Sequence, residues 1–356
     1  MKILSVVGAR PQFIKLAALS HEIRKRFDEV IVHTGQHYDY EMSRIFFKGM
    51  KIPEPDYNLG VGSAERSKQI KKMADGIRNI ILKEKPGLVI VFGDTNSTLA
   101  GAMAASKLKI RIAHVESGMR SFDSSMPEEI NRIETDRVSD MLFCPTETSV
   151  QNLKKEGIAK NVFKVGDVMV DSIRQNIGIA EKKSKILEKL KLKKKSYILA
   201  TVHRAGNTDI RENLSNIINA MLGISEKIVF PAHPRTAKCL KLYNLDKKIK
   251  NSNIIKTKPL SYADMLILEK NAKKILTDSG GMQKEAYFFK VPCITMRDST
   301  EWTETVNDGW NILAGANKAR IMNAAKNFSP KGKQSENYGN GNAGRNIVNI
   351  LKKFSL

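Results

Sequence analysis

Residues able to do chemistry gather where short apolar runs stop. The run from 88 ends in Gly93-Asp94-Thr95-Asn96-Ser97. Thr95, Asn96 and Ser97 can each cap the following helix, which leaves Asp94 spare. The next run ends in His114-Val115-Glu116-Ser117-Gly118 and leaves Glu116 at a strand end with no helix to cap. If the two runs are neighbouring strands, about 4.8 Å apart, the carboxylates titrate as a coupled pair suited to general acid and base work. His114, on the opposite strand face from Val115, reads as a core side chain. In Gly8-Ala9-Arg10-Pro11 with Lys15, the residues allow an anion seat at a helix start or a plain turn carrying two surface cations. Glu128 and Glu129 follow Pro127 in a first helical turn, where complementing the helix dipole explains them as well as catalysis does. His203-Arg204 closes another run and can hold a phosphate, protonate a leaving oxygen or be an ordinary polar loop. The sharpest signal is Thr277-Asp278-Ser279-Gly280-Gly281 before a helix carrying Glu285. Two glycines let backbone amides approach a phosphate, Ser279 adds a hydroxyl, and Glu285 suits the neutral hydroxyls of a ribose.

Something must deliver those residues to common edges. β-branched runs at 2–8, 30–35, 57–60, 88–94, 110–116, 141–145 and 162–166 alternate with helical patterns, and the alternation restarts at 197–203, 227–232, 253–256, 274–278, 291–296 and 311–313. This predicts an α/β chain of two Rossmann-like, doubly wound parallel domains facing a cleft. Their expected bounds are 1–167, with a C-terminal helix at about 345–356 returning to it, and 168–344. A long basic helix from 171 to about 192 follows the seam. In the usual order 3-2-1-4-5, Arg10, Asp94 and Glu116 share one lip.

Several function classes fall away. Gly-x-Gly-x-x-Gly occurs at Gly339–Gly344, in a Gly/Asn-rich loop that follows no predicted strand, and Gly-x-x-x-x-Gly-Lys-Ser/Thr and His-Glu-x-x-His do not occur, so dinucleotide, P-loop and zinc-protease sites are unsupported. Cys144, Cys239 and Cys293 are too widely spaced for a structural zinc site or a disulfide framework and read as packing residues. With no signal-peptide pattern and no apolar run of about 18 residues, a cytoplasmic enzyme without a membrane partner is expected. The net charge of +23 divides unevenly: residues 1–167 carry +5 and residues 168–356 carry +18. The lysine runs lack interleaved aromatics, which total 6% of the chain, so they read as a solvated face with no nucleic-acid partner.

Taken in order along nearly the whole chain, Gly8-Ala9-Arg10-Pro11 with Lys15, Thr34-Gly35-Gln36-His37, Gly93-Asp94-Thr95, His114-Val115-Glu116-Ser117-Gly118, Pro127-Glu128-Glu129 with Asn131-Arg132, His203-Arg204, and Thr277-Asp278-Ser279-Gly280-Gly281 with Glu285 resemble the non-hydrolysing UDP-N-acetylglucosamine 2-epimerases. The resemblance implies a glycosyltransferase-B-like homodimer, without metal or other cofactor, that interconverts UDP-N-acetylglucosamine and UDP-N-acetylmannosamine for surface glycans. The implied route is elimination of UDP to 2-acetamidoglucal and re-addition. It makes Asp94, Glu116 and Glu128 the acid/base carboxylates and has His203 support the departing diphosphate. Arg10 and Lys15 meet the phosphate side, while Ser279, Gly280, Gly281 and Glu285 hold UDP. Gln36, His37, Arg204 and His233 lie on segments of an allosteric site for UDP-N-acetylglucosamine. Many bacterial relatives carry Glu at Gln12 and Arg-Pro at Trp302-Thr303. The missing Arg is an expected UDP contact, with Arg297 or a Lys the candidate replacement. A hydrolysing epimerase and a glycosyltransferase of the same fold are the alternatives.

Overall fold

The computed structural model describes residues 1–36, 47, 50 and 52–354, and among these, thirteen short strands, all paired in parallel, organise the fold. Two compact units result: Met1–Asn176 with Glu336–Leu356, and Ile177–Ser335.

The first unit holds β1 (Lys2–Val7), β2 (Asp28–His33), β3 (Tyr57–Asn58), β4 (Leu88–Phe92), β5 (Arg111–Val115), β6 (Met141–Cys144) and β7 (Val162–Lys164). They form one sheet in the order β3-β2-β1-β4-β5-β6-β7. β4 reads as an unbroken apolar run, and β1 as one broken by Ser5, because helices cover both faces of a parallel sheet, and all of β4 is buried. Val6, Val32, Val89, Val91, Met73 and Ile77 meet in one core. The last registered pair of β4 and β5 is Phe92 with Val115, so Gly93-Asp94 and Glu116 leave the sheet side by side.

The second unit repeats the architecture with β8 (Tyr197–Thr201), β9 (Lys227–Pro231), β10 (Ile254–Thr257), β11 (Lys274–Thr277), β12 (Cys293–Thr295) and β13 (Asn311–Leu313), in the order β10-β9-β8-β11-β12-β13. Register pairs Thr201 with Thr277, which sets His203 and Asp278 at neighbouring strand ends.

The units part at Asn176 and Ile177 and again at Ser335 and Glu336, displaced from the expected seams at 167 and 344. The helix Val168–Lys183 explains the first displacement, because its opening turns bury Val168, Met169, Val170 and Ile173. Asp171 in that helix accepts hydrogen bonds from the Ala343 and Gly344 amides at 3.1 and 2.9 Å, which starts the returning helix Ala343–Lys353. That helix packs on the helix Arg10–Ile23. The expected single basic helix to about 192 is two pieces, Val168–Lys183 and Ile186–Lys189. Ser184 makes the break: its hydroxyl accepts the Ile186 amide and donates to Asp264. The eight lysines between 182 and 195 are all exposed. Among the described residues no helix is long and apolar enough to cross a membrane.

Candidate active site

At the edge of the first sheet the chain turns on Gly93, whose φ of +62° is costly for any residue with a Cβ. A Cβ there would lie 2.7 Å from Lys15 Nζ and 3.3 Å from Glu116 Oε1, so glycine also makes room for an ion pair. That pair is short and dry: Lys15 Nζ stands 2.5 Å from Glu116 Oε1, with 5% and 9% of the side chains exposed. Glu116 itself has a φ of +74°, an unfavourable backbone for a glutamate, and its amide is secured by the Phe143 carbonyl. Asp94 is not used as a cap, since the Thr95 hydroxyl accepts the Thr98 amide. Its carboxylate instead takes a 2.6 Å hydrogen bond from Arg132, whose other terminal nitrogen donates to Glu129 at 2.6 Å. Asn131 donates to the Asp94 carbonyl, and Arg66 donates to Asn131.

The loop after β1 is shaped by Gln12. Its buried carboxamide accepts the Gly8 and Ala9 amides at 2.8 and 3.0 Å and donates to the Phe92 carbonyl and the Thr98 hydroxyl, both at 3.0 Å. A glutamate offers no such donors when ionised, so the neutral side chain matches its surroundings here. Gln36 binds Ser97 through its amide and hydroxyl, and His33 accepts the Gly35 amide at 2.7 Å. Burial pushes the His33 imidazole down to about 4.

In the second unit, Asp278 is fully buried and accepts from the His203 and Arg204 amides and from Asn207. His203 Nδ1 lies 3.4 Å from the same carboxylate, with 35% of the ring side chain exposed. The helix Gly280–Phe288 starts after Ser279, whose hydroxyl is not spent on capping. A Cβ on Gly280 would lie 2.3 Å from Glu301 Oε1 and 3.0 Å from Trp302 Nε1, so the turn is closely roofed. Glu301 is held by Arg297 at 2.8 Å, and Lys284 Nζ stands 3.8 Å from the Trp302 ring centroid. Glu285 is buried on the same helix.

Residues 21–352 match the model of the family described as UDP-N-acetylglucosamine 2-epimerase. The chain belongs to that family. It is 59% identical to a UDP-N-acetylglucosamine 2-epimerase homolog of Methanococcus maripaludis, over 99% of this chain and 100% of that protein. It is 45% identical to the UDP-2,3-diacetamido-2,3-dideoxy-D-glucuronate 2-epimerase of Pseudomonas aeruginosa, over 99% and 100%. The crystal structure of the Methanocaldococcus jannaschii UDP-GlcNAc 2-epimerase in complex with UDP-GlcNAc and UDP superposes with a TM-score of 0.95 at 46% identity, covering 99% of this chain and 100% of that one.

Within this 2-epimerase chain the first unit brings Lys15, Asp94 and Glu116 to one sheet edge, with Glu128 half-buried in the first turn of the helix Pro127–Val138 and Arg10 opening the helix Arg10–Ile23. The second unit brings His203 beside His233, ring centroids 5.7 Å apart, while Ser279, Gly280, Gly281 and Glu285 stand on one turn and helix. Arg204 precedes the short helix Ala205–Thr208, and His233 Nδ1 accepts the Arg235 amide. His37 lies outside the described residues. Arg297, the residue named as a replacement for the missing Arg, is engaged with Glu301, and Lys284 lies over the Trp302 ring. Arg132 and Asp278 carry no role in the sequence reading, and Glu129 is weighed there only beside Glu128, without its cation. The spacing of Glu129 and Arg132, one helical turn apart, is the signal that could have found that pair. Among the described residues no cluster of three or more His, Cys, Asp or Glu side chains is gathered as a metal would require.

Proposed function

We propose that this chain interconverts UDP-N-acetylglucosamine and UDP-N-acetylmannosamine by removing and returning the proton at C2. The observation that carries the reading is the pair Asp94 and Glu116, at level ends of neighbouring strands and each across a short ion pair from its own cation. A carboxylate held this way can take a proton, while Lys15 or Arg132 balances the charge that changes. One carboxylate takes the C2 proton as the bond between C1 and the UDP oxygen breaks, which leaves a C1–C2 double bond in 2-acetamidoglucal. A second acid, from the set Asp94, Glu116 and Glu128, returns a proton to the other face of C2, and a phosphate oxygen of UDP rebuilds the bond to C1. His203, oriented by Asp278, supports the diphosphate as it departs. Arg10 contributes positive charge on the phosphate side. The Ser279-Gly280-Gly281 amides take phosphate oxygens and Glu285 takes the ribose hydroxyls, so that UDP is retained between the two half-reactions.

The same reading makes the enzyme a cytoplasmic homodimer and gives Gln36, His37, Arg204 and His233 to a second, activating nucleotide. Binding there would exchange the bonds Gln36 now makes to Ser97, and a sigmoidal dependence of rate on UDP-N-acetylglucosamine is the sign to look for.

The deciding experiment is proton NMR of the protein with UDP-N-acetylglucosamine in deuterated water. Deuterium at C2 in an intact UDP-sugar is the expected result, and Asp94→Asn or Glu116→Gln abolishes it while UDP still binds. Free N-acetylmannosamine would mark a hydrolysing enzyme, and absence of exchange sinks both. The uronate named for the Pseudomonas aeruginosa relative has the same C1 and C2 chemistry, so it is run alongside as a competing substrate.

A further inference from the structure

His114 is fully buried, and both of its ring nitrogens face oxygen acceptors. Nδ1 lies 2.7 Å from Asp136 Oδ1 and Nε2 lies 2.8 Å from the Gly93 carbonyl oxygen. A carbonyl cannot donate, so Nε2 must carry a hydrogen. The proton between Nδ1 and Asp136 belongs on nitrogen, because the other carboxylate oxygen already accepts from the Gly118 amide at 3.1 Å and from Arg120 at 2.8 Å. Burial alone would push the Asp136 carboxyl up, yet the His114 and Arg120 charges hold it below its ordinary value. Arg120 is clamped in turn by Glu156 at 2.7 and 2.8 Å. The chain of four groups therefore alternates cation and anion and sums to zero, the condition under which buried charges are tolerated.

This network ends on the backbone that carries Asp94. The Gly93 amide donates to the Val115 carbonyl at 2.9 Å, and the Gly93 carbonyl accepts from His114, so two successive residues of β5 pin both sides of a turn in the left-handed region. The carbonyl of Gly93 and the amide of Asp94 form one planar peptide, and rotating it swings the Asp94 side chain.

We propose that His114 is a positioning residue whose Nε2–H fixes the Gly93 carbonyl and thereby aims Asp94 at the sugar. The proposal rests on the catalytic role given to Asp94 above, but its protonation half does not depend on turnover. Nitrogen NMR of the ring-labelled full chain tests that half: with six histidines in the sequence, the His114 signals are assigned by difference. Both nitrogens are expected in the protonated range, and an unprotonated Nε2 overturns the proposal.

Two variants test the positioning half. His114→Gln places an amide donor where Nε2 stood, and His114→Asn places one where Nδ1 stood. We expect kcat to fall about 100-fold in the Asn variant, the scale of a roughly 1 Å misplacement, and less than about tenfold in the Gln variant, with KM changed less than about threefold in either. Equal losses in kcat, or losses confined to KM or to thermal stability, overturn it. Absence of C2 exchange in the unaltered enzyme would instead defeat the functional reading and leave the NMR result standing.

Discussion

Replacing Arg132 by Met removes the single cation that holds Asp94 and Glu129 together. The guanidinium is 3% exposed and lies 2.6 Å from an oxygen of each carboxylate. Unit charges about 4 Å apart at an effective dielectric of about 20 attract by about 4 kcal/mol, and desolvating the guanidinium cancels several kcal/mol of the two such terms. Truncation does not simply undo that balance, because it leaves Glu129 charged with 4% of its side chain exposed. The Ser121 and Phe122 amides and the Ser121 hydroxyl still serve Glu129, and Asp94, at 24% exposure, can recover water. The loss therefore falls near the lower end of the range for a broken buried pair, about 3 kcal/mol. For a unit of this size that lowers Tm by about 6 to 12 °C in a thermal melt. Freed from Arg132, Asp94 loses its aim, and kcat falls about 100-fold while UDP affinity, proposed above to rest on other residues, stays within about twofold. Combining Arg132→Met with Glu129→Gln should cost less than the sum of the single changes, since the neutral amide no longer needs the cation. A Met variant melting within about 2 °C of the parent with kcat within about threefold would refute the reasoning, as would strictly additive losses.

Other outcomes follow from named contacts. His33 packs against Phe13 and Phe47 with its imidazole held down to about 4, whereas the unfolded ring titrates at 6.5. The unfolded chain thus binds more protons between those values. Stability is complete above pH 6.5 and declines as pH falls toward 4, by at most about 3 kcal/mol. Urea melts of His33→Phe should lose that part of the pH slope, and an unchanged slope would contradict the assignment. Gly280→Ala drives a methyl into Glu301 Oε1 at 2.3 Å, so calorimetry should register UDP binding weakened by roughly tenfold, about 1.4 kcal/mol; parental affinity would show that the turn is not the nucleotide seat. Burial pushes the Cys144 and Cys293 thiols up to about 12, so neither should react with a disulfide reagent until the protein unfolds. Rapid labelling of either in the folded enzyme would be the contrary result.

Most strands were legible because they are short apolar or β-branched runs that stop at polar or turn-forming residues, as Leu88–Phe92 stops at Gly93-Asp94, and their usual order was enough to place Asp94 beside Glu116. Less legible was what each charge would face. Lys15 reads from its spacing as a cation for phosphate, but it is 4% exposed and paired with Glu116, a partner 101 residues away that no local pattern encodes. His114 reads correctly as a core residue, while Asp136, which gives that position its meaning, sits three turns into a helix whose first turn alone looked chemical. The break at Ser184 was missed because the lysine-rich pattern continues through it, and only the distant Asp264 shows why the hydroxyl turns inward.

The first unit is written in two pieces, with Ile177–Ser335 inserted between Asn176 and Glu336. A ribosome therefore finishes the inserted unit before it supplies the helix Ala343–Lys353 that covers the helix Arg10–Ile23. The segment made first must wait, with the helix Arg10–Ile23 lacking part of its cover, until the helix Ala343–Lys353 emerges. The unit made second can close on its own contacts. During synthesis the inserted unit is thus expected to mature ahead of the unit that is written in two pieces.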